Sequence, residues 1–197
     1  MLKKSFDVVF AFLGLILVSP LLLVIAILIN RESPGPVFYR GERIGKNGKP
    51  FRIFKFRTMV PEAEKLGGPS TAGDDPRLLK IGHFLKKYQL DELPQLINIL
   101  KGEMSLVGPR PEVKIYVDMM TPEERNTILS VAPGMTDLAS LWNFSEWKIL
   151  EGSPDPEKTY MEKIRPEKIR LQMEYVKNRS FLLDLKVVIK TIIKIFY

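Results

Sequence analysis

The feature that most constrains this chain is a long apolar run near its N-terminus. Residues 8–29 form 22 consecutive positions without a charged side chain. As one helix this run would be about 33 Å long, close to the thickness of a bilayer's hydrocarbon core. It is too long for the core of a signal peptide, and no small-residue cleavage site follows it. The run therefore predicts a segment inserted in a membrane.

Pro20 and the flanking charges bear on how this segment inserts. Proline removes a helical hydrogen bond, so a kink is expected at Ser19-Pro20, where the serine hydroxyl can bond the freed carbonyl. Lys3 and Lys4 precede the run and Arg31 follows it. Basic flanks favour the cytoplasmic side, and both are satisfied only if the two ends lie on one face. A re-entrant hairpin and a kinked span both remain open on these grounds.

The charge of the chain is concentrated beside this segment. Residues 1–60 contain ten basic and three acidic side chains, whereas residues 61–197 contain twenty of each, so the first part carries the whole net charge of +7. A basic block can bind nucleic acid, a membrane surface or an anionic substrate. The adjacent membrane segment and the lack of interleaved base-stacking aromatics argue against nucleic acid.

Cysteine and histidine counts exclude several kinds of chemistry. The chain has no cysteine, so it has no disulfide framework, thiolate metal site or cysteine nucleophile. His83 is its one histidine, which excludes a multi-histidine metal centre and disfavours zinc enzymes and hydrolases built on a catalytic triad.

Periodicity and helix signals predict a mainly helical α+β fold with a small β element. The alternation over 51–59 predicts a strand, with Lys55 and Arg57 on the face opposite Phe54 and Phe56. Residues 67–76 predict a loop, and Thr121 with Glu124 predicts a capping box. The predicted helices cover 77–87, 91–100 with Asp91 as N-cap, 122–130, 159–177 and 181–196.

The last predicted helix has a narrow basic stripe and a broad apolar face. Lys186, Lys190 and Lys194 follow each other at four-residue spacing. This pattern suits a helix lying at a membrane interface, and it equally suits an ordinary packed helix. Asp184 lies on the apolar side and needs a partner, either as a structural cap or as part of a site.

The densest chemical signal lies between residues 91 and 111. Asp91-Glu92 at a helix start is common in structural roles, but a carboxylate facing the positive end of a helix stays ionised and can act as a nucleophile. Glu92 beside it can help to hold a hard divalent cation. The turn Gly108-Pro109-Arg110-Pro111 presents one guanidinium suited to phosphate.

These residues, taken with others along the chain, resemble the bacterial sugar transferase family, the small monotopic phosphoglycosyl transferases. The resemblance spans almost the whole chain, and its most specific block is DELPQL followed by KGEMSLVGPRP. The matching motifs are KKSFD at 3–7, Ser19-Pro20, GPVFYR at 35–40, FKFRTM at 54–59, DPR at 75–77, LDELPQL at 90–96, KGEMSLVGPRP at 101–111, PGMT at 133–136, and Tyr175 with Asp184-Leu185.

The resemblance implies an enzyme that transfers a sugar phosphate from a UDP-sugar to a polyprenol phosphate, giving a polyprenol diphosphate sugar and UMP. It implies a ping-pong mechanism with Asp91 as nucleophile and with Glu92, beside Asp91, associated with Mg²⁺ or alternatively Mn²⁺. Lys55, Arg110 and Asp184 match further active-site residues. We assign Arg57 and Lys86 with them to substrate and phosphate binding.

The resemblance also implies where the protein lies. Residues 1–31 are expected to form a re-entrant helix–break–helix hinged at Ser19-Pro20. Residues 32–197 are expected to form a membrane-associated catalytic domain, with amphipathic interfacial helices around a cytoplasmic active site. The implied location is the inner membrane of a bacterium, and the implied partners are the UDP-sugar, the polyprenol phosphate and the bilayer, without nucleic acid.

The chain departs from the family pattern at a few positions. Lys86 stands where arginine is frequent, and the turn after Pro133-Gly134 reads Met-Thr-Asp-Leu-Ala-Ser instead of the common x-Thr-Gly-Leu-Ala-Gln. Phe144 stands near an expected arginine, and a distinct segment follows over 145–160. These departures bear on nucleotide or sugar recognition and indicate a specificity subgroup. A non-catalytic membrane scaffold is a competing hypothesis, which the intact set of Lys55, Asp91, Glu92, Arg110 and Asp184 disfavours. A third hypothesis, an acidic-phospholipid or nucleic-acid binding module driven by the basic block, predicts steep salt dependence and no need for Asp91.

Overall fold

A computed structural model of the chain describes residues 2–68 and 70–196. Within them, helices and three two-stranded sheets form a mainly helical α+β fold, as predicted. The helices are α1 (Leu2–Glu32), α2 (Lys80–Lys87), α3 (Gln95–Leu100), α4 (Lys114–Asp118), α5 (Pro122–Ile128), α6 (Leu138–Trp142), α7 (Glu146–Leu150), α8 (Pro156–Thr159), α9 (Arg165–Asn178) and α10 (Phe181–Phe196). The strands are β1 (Phe38–Tyr39), β2 (Glu42–Ile44), β3 (Pro50–Arg52), β4 (Lys55–Phe56), β5 (Ser105–Val107) and β6 (Gly134–Thr136).

Helix α1 continues through Pro20, so the predicted break is not an interruption of the helix. Pro20 has no N–H to donate to the carbonyl of Ile16, and the Ser19 hydroxyl donates to that same carbonyl at 2.8 Å. This serine bond, predicted from the sequence, is confirmed, and it satisfies the acceptor that proline leaves open. Of the described helices, α1 is the one long and apolar enough to cross a membrane.

Both ends of α1 contact the same globular part of the molecule. Near the start, the Asp7 carboxylate accepts a hydrogen bond from Ser105 Oγ at 2.7 Å. At the end, the Glu32 carboxylate accepts hydrogen bonds from the backbone N–H groups of Lys80 (2.6 Å) and Ile81 (2.9 Å). Glu32 therefore caps α2, because it satisfies N–H groups that a helix start leaves unpaired.

The middle of α1 divides its apolar side chains between the core and the surface. Ala11 packs with Leu96 in one buried cluster, and Ile25 packs with Phe56 in another. A second set of large apolar side chains on α1 is exposed: Val9, Phe10, Phe12, Leu13, Ile16, Leu17, Leu21, Leu23, Val24, Ile27 and Leu28. So many exposed apolar groups on one element mark a surface that contacts lipid or another apolar partner.

The single strand predicted over 51–59 is wrong. Strand β3 pairs with β2 in an antiparallel hairpin, and β4 pairs with β1. Asn98 separates them, because its side chain accepts a hydrogen bond from the Phe54 N–H at 2.8 Å and donates one to the Arg52 carbonyl at 3.0 Å. A buried side chain from α3 thus takes the place of a neighbouring strand at this point.

Several predicted helices differ in their ends. The helix expected over 91–100 is a 3₁₀ turn at Leu90–Glu92 followed by α3, and Asp91 is not an N-cap. The helix expected over 159–177 comprises α8, a π-helical turn at Tyr160–Ile164 and α9. The capping box of Thr121 and Glu124 on α5 is confirmed.

Strands β5 and β6 bring two distant turns together. They pair in parallel, with Ser105 opposite Gly134 and Val107 opposite Thr136. A Cβ at Gly134 would lie only 2.1 Å from the backbone nitrogen of Gly108, so only glycine allows this approach. The close contact holds the start of the Pro109-Arg110-Pro111 turn.

Candidate active site

Most of the predicted site residues line one large cleft. It has a volume of about 1110 Å³ and lies between the β1–β4 region, the 3₁₀ turn at Leu90–Glu92, and the segment from α6 to the π-helical turn. Six of the seven residues predicted to act on substrate line it: Lys55, Arg57, Lys86, Asp91, Glu92 and Arg110. A cleft with convergent charged groups is the usual form of a ligand site.

Local backbone geometry places Asp91 and Glu92 at the wall of the cleft. Gln89, just before the 3₁₀ turn, adopts a left-handed conformation with φ of 53°. Its side chain donates a hydrogen bond to the Phe144 carbonyl at 3.0 Å, which supports this strained position. The turn then directs both acidic side chains inward, where each is buried.

Glu92 joins two cations. Its Oε1 accepts a hydrogen bond from Lys55 Nζ at 2.8 Å, and its Oε2 accepts one from Arg110 Nη1 at 2.9 Å, while the other guanidinium nitrogen of Arg110 also contacts Oε1. Burial alone would raise the pKa of Glu92, but Arg110 and Lys55 hold it well below its usual range. Glu92 is therefore a fixed anion that sets the positions of the Lys55 and Arg110 side chains.

Asp91 differs from its neighbour because no other described residue donates a hydrogen bond to its side chain. Burial raises the pKa of Asp91 to about 6, with Lys55 and Lys86 opposing the shift and the Glu92 charge adding to it. The predicted cause of ionisation, a helix N-terminus, is wrong. Nearby cations instead keep Asp91 ionised at neutral pH, and its oxygens remain open to a ligand.

Lys86 completes the positive side of the cleft. Its ammonium loses solvation, which lowers the pKa of Lys86 to about 8, although the charge of Asp91 opposes this shift. The lysine is thus protonated at neutral pH and close to its titration range. Lys55, Lys86 and Arg110 together form a cationic wall around Asp91, suited to a diphosphate.

Arg57 lines the cleft but is bound to the end of α1. Its guanidinium donates a hydrogen bond to Ser33 Oγ at 3.1 Å and also contacts the Ser33 carbonyl. Arg57 is buried, and its Nε has no hydrogen-bond partner. Arg57 thus links the segment just after α1 to β4, while its Nε stays without a partner.

Asp184 is the predicted site residue that the structure places elsewhere. It does not line the cleft and lies on α10, where its carboxylate accepts hydrogen bonds from Lys3 Nζ at 2.5 Å and Tyr175 Oη at 2.7 Å. Lys3 also donates to the Val107 carbonyl at 3.0 Å. Asp184 therefore links α10 to α9 through Tyr175 and to the start of α1 through Lys3, which also contacts β5. Lys3 is the partner that this buried carboxylate requires.

Sequence reasoning missed several polar residues around the cleft. Asp137, which is fully buried, accepts hydrogen bonds from the backbone N–H groups of Ser140 (2.6 Å) and Arg110 (3.2 Å). Lys168 lies in the same cleft and pairs with Glu112 at 2.6 Å. Asp137 could have been recognised from the sequence, because it departs from the family pattern at that position. No feature of the sequence pointed to Lys168.

The acidic groups restrict how a metal ion could be held. No three Asp, Glu, His or Cys side chains come together as a metal-binding group within residues 2–68 and 70–196. Asp91 and Glu92 are adjacent, and the oxygens of Asp91 accept no hydrogen bond from the described residues. The open oxygens of Asp91 fit a Mg²⁺ ion that takes most of its ligands from water and substrate phosphates, whereas both oxygens of Glu92 are bound by Lys55 and Arg110.

The comparison with known proteins gives the family. The model of the family described as "Bacterial sugar transferase" matches residues 1–197. The chain therefore belongs to the bacterial sugar transferase family.

Three relatives illustrate the similarity. The chain is 38% identical over 199 residues to the UDP-glucose:undecaprenyl-phosphate glucose-1-phosphate transferase of Escherichia coli, covering 100% of this chain and 40% of the relative. It is 37% identical over 194 residues to the UDP-N-acetylgalactosamine-undecaprenyl-phosphate N-acetylgalactosaminephosphotransferase of Aeromonas hydrophila, covering 97% and 43%. It is 37% identical over 205 residues to the exopolysaccharide production protein ExoY of Sinorhizobium fredii, covering 96% and 83%. The chain thus spans less than half the length of the first two.

Proposed function

We propose that this protein transfers a sugar 1-phosphate from a UDP-sugar to a polyprenol phosphate, giving a polyprenol diphosphate sugar and UMP. The observation that carries the proposal is the cluster in the cleft: an open, buried Asp91 beside Glu92, Lys55 and Arg110, with Lys86 facing it. The relatives whose names state a reaction transfer sugar phosphates to undecaprenyl phosphate. The reaction would be the first membrane step in making a bacterial glycoconjugate.

In the first step, an Asp91 oxygen attacks the phosphorus that bears the sugar. A bond forms between this oxygen and phosphorus, the bond from phosphorus to the bridging oxygen breaks, and UMP leaves with the electron pair. Arg110 and Lys55, held in place by Glu92, offset the negative charge on the phosphoryl oxygens. Burial assists the attack, because the poorly solvated Asp91 carboxylate loses little hydration.

In the second step, an oxygen of the polyprenol phosphate attacks the phosphosugar carried by Asp91. The new phosphorus–oxygen bond forms as the Asp91 carboxylate leaves, which restores the free enzyme. Lys86 and Arg57 line the same cleft, and we assign them to the incoming lipid phosphate.

Mg²⁺ or Mn²⁺ is the cofactor of this proposal, and when bound it would neutralise phosphate charge. Asp91 would hold it through its open oxygens, with the Glu92 carboxylate beside it. EDTA should silence the enzyme, and added Mg²⁺ or Mn²⁺ should restore turnover. Full activity after exhaustive dialysis against EDTA would contradict a metal requirement.

We place the catalytic part on the cytoplasmic face of a bacterial inner membrane, with α1 entering and leaving by that face. The support is that Asp7 and Glu32, near opposite ends of α1, both contact the globular part. A straight span would carry one end away from it. Helix α10 adds exposed Leu182, Ile189 and Ile192 beside exposed lysines, as expected of an interfacial helix.

Turnover tests the reaction directly. The purified protein is incubated with Mg²⁺, a polyprenol phosphate and each of several UDP-sugars, and UMP release is measured. With a UDP-sugar alone, intact-mass measurement should show the protein plus one phosphosugar. Absence of UMP release with every donor would refute the proposed reaction, and release without an adduct would refute the covalent step.

Labelling tests the topology, because the chain has no native cysteine. Ser5→Cys and, as control, the exposed Leu66→Cys are compared in vesicles with the cytoplasmic face inward. Both should resist a membrane-impermeant maleimide until detergent is added. Labelling of the residue-5 cysteine alone would show that α1 spans the bilayer.

A further inference from the structure

Gln95 is the most unusual buried polar residue in the molecule. It is only 1% exposed, and both its amide nitrogen and its amide oxygen lack a hydrogen-bond partner. Folded proteins satisfy the great majority of such groups, because an unpaired buried donor or acceptor costs free energy. Gln95 also lines the large cleft, so a ligand entering the cleft could satisfy both atoms.

The position of Gln95 relative to the nucleophile restricts which ligand group it meets. Gln95 follows Asp91 by four residues, and Leu93 and Pro94 between them have right-handed helical dihedral angles. Side chains at this spacing lie on the same face of a turn. We therefore expect the Gln95 amide on the same side of the turn as Asp91, near the phosphorus that Asp91 would attack.

A neighbouring wall of the cleft, joined to the Asp91 turn through the Gln89–Phe144 hydrogen bond, offers two more unpaired polar atoms. Ser140 Oγ and Asn143 Nδ2 are buried without partners, and both residues line the same cleft. Ser140 lies on α6, and Asn143 lies at the C-terminal end of this helix. The buried Asp137 carboxylate anchors α6, because it accepts a hydrogen bond from the Ser140 N–H. Two walls thus present neutral donors and acceptors toward one space.

Neutral groups of this kind select a neutral polar ligand. The cleft already supplies Lys55, Lys86 and Arg110 for phosphate, whereas amides and hydroxyls suit the hydroxyl or acetamido groups of a sugar. Uracil also has neutral polar edges, but it belongs to the leaving group. In an in-line displacement the leaving group departs opposite the nucleophile, whereas the sugar stays on the phosphorus beside Gln95.

We propose that Gln95, Ser140 and Asn143 form the subsite that recognises the sugar of the donor. This inference rests on the proposed function and deepens it, because it names the residues that choose among UDP-sugars. A site built to hydrogen-bond a hydroxyl discriminates strongly against a sugar that places that hydroxyl differently, since its buried groups are then left unpaired.

Binding to an inactive protein tests the subsite without requiring turnover. The full-length Asp91→Asn protein in nanodiscs is titrated calorimetrically with UDP, UDP-glucose, UDP-N-acetylgalactosamine and the C4 epimer of each sugar nucleotide. We expect a preference of about tenfold or more for one donor over its epimer. Adding Gln95→Leu, Ser140→Ala or Asn143→Leu should erase most of that preference and leave the affinity for UDP unchanged.

A matched control separates recognition from folding. Asn98 lies on the same helix and is also buried, but its amide makes three hydrogen bonds and it does not line the cleft. Asn98→Ala should lower the melting temperature and keep the sugar preference. Gln95→Leu should keep or raise the melting temperature, because it removes unpaired polar atoms, and lose the preference.

The outcomes separate the two proposals. Equal binding of all four sugar nucleotides, or an unchanged preference in the folded Gln95→Leu protein, would overturn the subsite. If Gln95→Leu weakened the binding of UDP and of every UDP-sugar equally, the subsite would also be overturned, and Gln95 would be assigned to binding of the nucleotide. If the sugar preference depends on Gln95 but the wild-type protein releases no UMP from any donor, the subsite is supported and the proposed transfer reaction fails.

Discussion

Two carboxylates in this molecule, Asp184 and Asp91, are similarly buried but differ in whether other side chains donate hydrogen bonds to them. Asp184 is 3% exposed and accepts hydrogen bonds from Lys3 and Tyr175, whereas Asp91 is 7% exposed and accepts none from the described residues. The first carboxylate has its donors built into the fold, and the second has cations nearby but open oxygens. Burial therefore does not distinguish the carboxylate that we propose as nucleophile, whereas its lack of hydrogen-bond donors does.

The largest expected effect comes from Asp91→Asn. Turnover should fall by about a thousandfold or more, because the covalent step has no nucleophile. Stability should change in the opposite direction. Since burial raises the pKa of Asp91 to about 6, its charged form lowers the stability of the folded protein above that pH. At pH 7 the variant should therefore be more stable than the wild type, and at pH 4 the gain should vanish.

The measurements are UMP release and denaturant unfolding at both pH values. Mass spectrometry must first exclude deamidation of the asparagine to aspartate. Normal turnover by an Asp91→Asn protein without deamidation would contradict the proposal that Asp91, unlike Asp184, takes part in the reaction.

The next largest effect is expected in the pH dependence of activity, which should have an acidic and an alkaline limb. The value of kcat/KM should rise with pH as Asp91 ionises, with a pKa of about 6, and fall as Lys86 loses its proton, with a pKa of about 8. Lys86→Arg should remove the alkaline limb, because arginine stays charged. An alkaline limb that persists unchanged in Lys86→Arg would assign it to another group.

Asp184→Asn should affect stability more than chemistry. The variant replaces a carboxylate that accepts from both Lys3 and Tyr175, so the free energy of unfolding should fall by about 1–3 kcal/mol. Turnover per folded molecule should stay within about tenfold of the wild type. Loss of turnover comparable to that of Asp91→Asn, in a protein that still folds, would return Asp184 to the active site.

Tyr175→Phe should give the smallest change. It removes the hydroxyl that donates to Asp184 at 2.7 Å and keeps the Lys3 contact, so about 1 kcal/mol of stability should be lost. Burial and the nearby Asp184 raise the pKa of Tyr175, so the loss should be equal at pH 7 and pH 9. A loss present only at pH 7 would show that the tyrosine titrates in this range.

The sequence predicted which residues line the cleft better than it predicted their physical state. The motif around Asp91 and the glycine-proline turn at Arg110 led to residues that line one cleft. The cause of Asp91 ionisation was wrong, because it depends on Lys55 and Lys86, which reach the cleft from separate elements. Asp184 was misplaced for the same reason, since its partner Lys3 lies 181 positions away in the chain.

Local signals predicted the fold where the determinants are local. The capping box on α5, the Ser19 hydrogen bond and the helix over 181–196 all depend on neighbours within a turn. The strand expected over 51–59 failed because Asn98, which divides it, approaches from α3. The open atoms of Gln95 could not be predicted either, since partners can be counted only when the packing around a side chain is known.

Asp137 has a consequence for how donor choice could change over evolution. One of its oxygens holds the wall that carries Ser140, and the other holds the backbone of Arg110. Mutation of Asp137 would therefore alter selectivity and rate together, and such coupled changes are rarely tolerated. Ser140 and Asn143 lie on the same wall and, within the described residues, make no hydrogen bond to Arg110. If they form the proposed subsite, they are the positions where specificity can diversify while the reaction is preserved.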